Sequence, residues 1–255
     1  MLKNVFLRLV TGTLAAALLF AQGKQPAPKS QKEVDALNLM FQAADNDARI
    51  KAANDLLTKF ADTDFKGLAL YMITTSYNEK KDATNTIVYG ERAVEADPKS
   101  ALSAHARIMI ATSLAMTTKE FDFDKEEKLG RADKLSKEAI EVLKTAPKFN
   151  PSLTDEQWEG AKKGYTSEAY VAMGMAAIVR KKYPEAIENY KLASETDPTN
   201  GATFVRLGAA QSSAGKYDDA IATLDKVIGM AGADPAIVNF AKGEKEKAVK
   251  AKGAK

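Results

Sequence analysis

The chain has 255 residues, of which 45% are hydrophobic and 28% charged, a balance that excludes intrinsic disorder and suffices for a sizeable core. Glycine and proline are sparse, aromatics make up only 7%, and long stretches are built from Ala, Leu, Lys, Glu and Asp, so helix is favoured over strand throughout. The small net charge of +3 gives no footprint for nucleic acid, and the absence of cysteine removes disulfides and thiolate metal sites.

Met1 to Arg8 carries Lys3 and Arg8 and no acid, Leu9 to Ala21 is apolar, and small residues follow at Ala21 and Gly23. Basic, apolar and small-residue segments in that order predict a secretory signal peptide over residues 1–23, cleaved after Ala21 or Gly23. The apolar run over residues 9–21 is shorter than the roughly 20 residues a bilayer span takes, so no integral membrane segment is expected after cleavage. No cysteine at the junction could accept a lipid. Export is therefore expected, to the periplasm or into the medium, and without disulfides the mature protein must be stabilised by packing alone. Residues 24–30, with Pro26 and Pro28, read as a short disordered lead-in.

From Gln31 onward the pattern is helical with frequent turns, in a frame set by two C-terminal segments. Ser167 to Asn200 superposes without a gap on Gly201 to Asp234, matching Gly174 with Gly208, Tyr183 with Tyr217, Ala186 with Ala220 and Ile187 with Ile221. Each unit fits two helices joined by a tight turn, at Lys181-Lys182-Tyr183 or Gly215-Lys216-Tyr217. The glycine and alanine positions let the two helices approach closely while larger residues fill the flanking holes.

In that frame the chain divides, in order, into a degenerate unit 31–66, a unit 67–100 ending at Asp97-Pro98, and a unit 101–150. The last of these opens with a helix from Ala101 to Met116, and its excess length is placed in the connection around 117–131. Unit 151–200 has an extended first helix: Thr154-Asp155-Glu156-Gln157 is a capping box, and Trp158, Ala161, Tyr165, Ala169, Ala172 and Ala176 continue at helical spacing. One helix from Asp155 to Arg180 is expected, the alternative being a break near Gly164 with Ser167 as a new N-cap. Unit 201–234 is followed by a capping helix over 235–250 with a Lys-rich outer face, and by a flexible tail, 251–255.

The inventory for catalysis is thin. His105 is the single histidine, and no Ser-His-Asp or Cys-His set and no zinc site can be assembled around it. The acidic run Glu120, Asp122, Asp124, Glu126 and Glu127 lacks the glycine and spacing of a calcium loop. With Phe121 and Phe123 interleaved it reads as a solvated insertion whose rings pack back on the helices. Neither a metal nor a cofactor is expected, and the chain is not expected to be an enzyme.

The 34-residue unit, with its large residue early in the first helix, Leu-Gly or Met-Gly next, Tyr before the second helix, then Ala and a closing Asp-Pro, resembles the tetratricopeptide repeat family. The resemblance implies an all-α, right-handed superhelical solenoid of about five antiparallel helix pairs plus the capping helix. It also implies a concave groove that takes an extended peptide or a helix of a partner protein. Carried over position by position, the groove residues are Tyr71, Thr75 and Asn78, then His105, Met109 and Thr112, then Val171, Met175 and Ile178, then Val205, Ala209 and Ser212. Val171, Met175 and Ile178 could equally face the neighbouring repeat. The positions of the family's carboxylate clamp hold Tyr71, Thr75, Ala106 and Ala202, with Arg206 alone of suitable type, so that mode is not expected. The implied function is an exported protein-protein interaction scaffold. The alternative is an accessory protein that binds envelope glycan or a lipid surface through Trp158 and the Lys-rich end.

Overall fold

The computed structural model describes residues 26–254, and the expected signal peptide at 1–23 lies outside them. These residues form eleven helices and no strand: α1 (Gln31–Phe41), α2 (Asn46–Lys59), α3 (Lys66–Glu79), α4 (Ala83–Ala96), α5 (Ala101–Thr117), α6 (Lys125–Thr145), α7 (Asp155–Val179), α8 (Tyr183–Thr196), α9 (Gly201–Ser213), α10 (Tyr217–Ile228) and α11 (Pro235–Gly253).

Local chemistry starts and stops these helices. Side-chain oxygens of Ser30, Asp45, Asp82, Ser100, Thr154 and Asn200 each accept from a backbone N–H three residues on, satisfying donors that a helix start leaves free. At Thr154 the capping box is complete, with the Gln157 side chain returning to the Thr154 N–H at 2.9 Å. The turns inside the second, fourth and fifth pairs place Lys81, Lys181 and Gly215 in the left-handed region, at φ of 63°, 59° and 75°. The N–H groups of Asp82, Lys182 and Lys216 then reach back to the carbonyls of Tyr77, Ala177 and Gln211, which closes the first helix of each pair.

Helices pair as α1–α2, α3–α4, α5–α6, α7–α8 and α9–α10, with α11 laid over α9 and α10. The first helices also meet one another directly, α3 with α5 and α5 with α7, whereas the second helix of a pair packs on the first helix of the next. The core accordingly runs along the stack as linked clusters. Close approach depends on residues without a side chain. A Cβ on Gly174 would lie 2.5 Å from the Tyr190 ring, one on Gly208 2.7 Å from Leu224 Cγ, and one on Gly90 2.8 Å from Ile110 Cγ1. These three glycines are therefore holes for a large side chain of the facing helix.

Three details depart from, or decide between, the sequence expectations. The extra length of the third pair is helix rather than connection: α6 begins at Lys125, and at 21 residues is half as long again as the 14-residue α4. Arg180 anchors this added length, its guanidinium holding Glu126 Oε2 at 2.9 Å and Asp133 Oδ2 at 2.8 Å. Phe121 and Phe123, expected to pack back on the helices, instead stand in solvent at 91% and 107% relative exposure. The backbone of 118–124 is pinned beneath them: Asp122 Oδ2 accepts from the Lys119 N–H, and Glu120 pairs with Lys181. Finally, α7 runs unbroken for 25 residues. Ser167 caps nothing; its hydroxyl donates to the Ala193 carbonyl on α8 at 2.9 Å.

The added turns of α7 explain Trp158. It is buried against Ala101, Ala104, Ala139 and Leu143, with the Phe149 ring edge-on at 5.8 Å and the Lys162 ammonium over its face at 5.6 Å. Trp158 is thus a core residue and is not presented to a glycan.

Candidate functional site

α3 meets α5 and α5 meets α7 directly, so these first helices share one side of the stack, with α9 the next first helix in order. The positions assigned to the groove fall on these helices, in three groups. Tyr71, Met109 and Val205 are buried, at 3%, 5% and 6% exposure. Tyr71 and Met109 belong to the N-terminal cluster, with Leu70 and Ile73, and Val205 packs with Phe204, Leu224, Val227 and Ala241. These three side chains are already covered by the chain's own neighbours.

Val171, Met175 and Ile178 are half-buried around Ala177, Ala186, Tyr190 and Leu207, so the neighbouring repeat takes part of each. Thr75, Asn78, Thr112, Ala209 and Ser212 are half-exposed. The Thr75 hydroxyl donates to the Met72 carbonyl at 2.9 Å, so its polar atom is satisfied by its own helix. The surface available is therefore made of small side chains with one flexible methionine, Met175, among them.

His105 sits in the middle of this face and joins three helices. Tyr71 on α3 bonds to its Nδ1 at 2.8 Å, the Tyr165 ring on α7 stacks on the imidazole with centroids 4.4 Å apart, and Glu168 Oε2 lies 3.3 Å from Nε2. A carboxylate only accepts, so it favours the proton on Nε2; Nδ1 is then the acceptor and the Tyr71 hydroxyl donates to it. Burial pushes Tyr71 well above the usual phenol range, reinforced by the nearby Tyr165 and Glu168. Burial likewise pushes Tyr165 up to about 12; the Glu168 charge adds to this and a bond with Tyr71 opposes it. Both phenols stay neutral near pH 7 and act as hydrogen-bonding groups, not bases. The cluster buries a polar bridge at the foot of the groove and leaves the half-exposed Glu168 carboxylate at its rim.

Tyr165 and Glu168 were not among the sequence-assigned positions. Tyr165 lies on the part of α7 that precedes the 34-residue frame and Glu168 is that frame's second residue; their i, i+3 spacing, one helical turn, was the signal that could have placed both beside His105. Arg206, the one residue of clamp type, is exposed on α9, and its charge draws the Tyr190 phenol down against the burial that holds it at about 12. Among the described residues no group of three His, Asp or Glu side chains is placed to hold a metal ion, and no helix is long and apolar enough to cross a membrane.

At the C-terminal end, Lys245 pairs with Asp225 at 2.6 Å, Lys247 with Glu244 at 2.7 Å, and Lys252 with Asp218. Three of the lysines there are thus tied to their own repeat or helix. Lys242 and Lys250 form no ion pair among the described residues.

The sequence profile of the tetratricopeptide repeat family matches residues 177–241, which span the α7–α8 turn through the start of α11. A search of curated proteins gives no match. Among solved structures, the fold is similar to TTC0263, a thermophilic TPR protein of Thermus thermophilus, with 16% identity and a TM-score of 0.57 over 83% of this chain and 98% of that one. It is also similar to the MamA protein, with 16% identity and a TM-score of 0.53 over 86% of this chain and 94% of that one. The family profile thus covers residues 177–241, and the described residues as a whole share the helix-pair stack of the tetratricopeptide repeat structures.

Proposed function

We propose that this protein is a non-catalytic scaffold, exported to the cell envelope, that holds a peptide or helix of a partner protein along the face formed by α3, α5, α7 and α9. The observation that carries the reading is the row of half-exposed small or flexible side chains on successive first helices, Thr75, Thr112, Met175 and Ala209 among them. Such a row offers a shallow, adaptable track on rigid supports, the kind of surface a helix or extended segment can lie in. The basic, apolar and small-residue order of residues 1–23 supports export.

Photo-crosslinking in the native host tests the groove. A photoreactive side chain at Thr112 or Met175 is expected to capture one common protein, and one at Val88, exposed on the second helix α4, is expected not to capture it. Equal capture from Val88, or none from either groove position, would overturn the reading. Export is tested separately by fractionation and N-terminal sequencing, which should give a mature start at Gln22 or Lys24 in the envelope fraction. An intact Met1 in the cytosol would remove that part alone.

A further inference from the structure

The aromatic tip between α5 and α6 has no role in the fold. Phe121 and Phe123 bury nothing, yet the loop holds them in place: the Lys125 N–H donates to the Asp122 carbonyl at 3.1 Å, and the Glu120 carboxylate is 2.6 Å from Lys181 Nζ. Two fully exposed rings on a fixed loop form an apolar surface without a cover. Their setting is acidic. The sequence alternates Glu120, Phe121, Asp122, Phe123, Asp124; Glu120 pairs with Lys181 and Asp124 with Lys128 at 2.9 Å, and Asp122, between the rings, is the carboxylate without an ion pair among the described residues. That alternation disfavours a lipid bilayer, since the rings could enter an anionic headgroup layer only by carrying carboxylates with them.

The complementary surface is at the other end of the same chain. Between α10 and α11 lies a hollow of about 500 Å³, with Ile228 and Val249 as its apolar wall and Lys242, Lys245 and Lys250 around it, against Asp225 and Glu246. It is an open depression on the surface, not an enclosed cavity, so it suits the tip of a loop better than a small molecule. Val249 is 49% exposed, and Lys242 and Lys250, without ion-pair partners among the described residues, are the cations left for an incoming carboxylate. We infer that the Phe121–Phe123 tip of one copy docks in the α10–α11 hollow of a second copy, rings on Ile228 and Val249 and the Asp122 carboxylate between them against Lys242 and Lys250. The two surfaces differ, so the contact is head-to-tail: a pair keeps one free tip and one free hollow, and further copies add there, into an open chain or, where the rotation closes, a ring. The inference is independent of the groove.

Sedimentation velocity on the full chain at low salt tests it, over about 1 to 100 µM, where contacts of this modest size register. The native protein is expected to form species beyond the monomer as concentration rises. F121A/F123A and K242E/K250E should each remain monomeric, with helicity and melting temperature unchanged. Mixed in equal amounts, these two variants retain one intact tip and one intact hollow between them, so they should form a 1:1 pair and nothing larger. Raising sodium chloride from about 50 to 500 mM should weaken native association about tenfold, because screening shortens the reach of the charges. A native protein that stays monomeric, an F121A/F123A variant that assembles like the native chain, or a mixture that gives no pair would overturn the contact. Binding of the native protein to phosphatidylglycerol vesicles that F121A/F123A loses would assign the tip to lipid and overturn it as well.

Discussion

Tyr71 and His105 occupy the same position in successive helix pairs, 34 residues apart, and a 2.8 Å hydrogen bond joins the Tyr71 hydroxyl to His105 Nδ1. Equivalent points of the repeat thus bond to each other along the stack. Replacing His105 by Ala removes the acceptor and the stacking partner of Tyr165 while Tyr71 stays buried. The expected cost is about 1 to 3 kcal/mol, that of a buried donor losing its partner, read by urea denaturation. Glu168→Ala, at the exposed rim, should cost less than half as much.

The glycines of the repeat divide by what faces them. Gly174→Ala sets a methyl 2.5 Å from the Tyr190 ring, and Gly208→Ala sets one 2.7 Å from Leu224. Each should destabilise by about 1 to 3 kcal/mol as an overpacked contact. Gly164, inside α7 with nothing within 4 Å of an added Cβ, should behave oppositely, Ala there gaining about 0.5 to 1 kcal/mol through helix propensity. Melting temperatures of the three variants would show opposite signs if the packing account holds.

Lys81 and Lys181 hold the left-handed turn position that Gly215 holds in the fifth pair. Lys81→Gly relieves the steric cost of a Cβ there and should raise stability by up to about 1 kcal/mol. Gly215→Ala should lower it by a similar amount. Lys81 is the cleaner test, since Lys181 also pairs with Glu120.

Alkaline unfolding should follow the buried phenols. Tyr165 and Tyr190 are raised to about 12, and Tyr71 is raised well above the ordinary value of about 10. A pKa raised on folding means the native state holds its proton more tightly. The stabilisation is complete below pH 10 and is lost as pH rises from about 10 through 12. Absorbance at 295 nm should therefore show exposed tyrosines titrating first. A second step near pH 12 should coincide with loss of the helical circular dichroism signal. Tyr190→Phe should reduce the amplitude of that second step.

The regular part of this architecture was legible because the same spacing occurs twice without a gap: Gly174 and Gly208 repeat, and so do the Tyr190 and Leu224 that fill them. The long α7 was legible from its capping box. The length of α6 was not, since its first residue follows Asp124, whose side chain makes no capping bond, and the acidic run before Arg131 resembles loop as much as helix. The outward pose of Phe121 and Phe123 was likewise hidden, because it is fixed by Lys181, which lies far along the sequence from the Glu120 it pairs with. At the groove positions, the template did not separate the exposed from the buried side of each first helix, so Tyr71, Met109 and Val205 fell inside. Tyr165, on the extension before the repeat frame, and Glu168, just inside it, were missed.

A stack of like repeats held by nearest-neighbour contacts can open one unit at a time from either end. α7 interrupts that behaviour. Its 25 residues, about 37 Å of helix, lie against α5, α6 and α8 together, with Trp158 and Tyr165 seated in the third pair and Met175 and Ala177 in the fourth. Neither pair can peel away without stripping the other, so the middle of the molecule behaves as one splice joining two zippers. Amide exchange should be slowest there, and the ends, α1 and α11, should breathe while the splice stays shut.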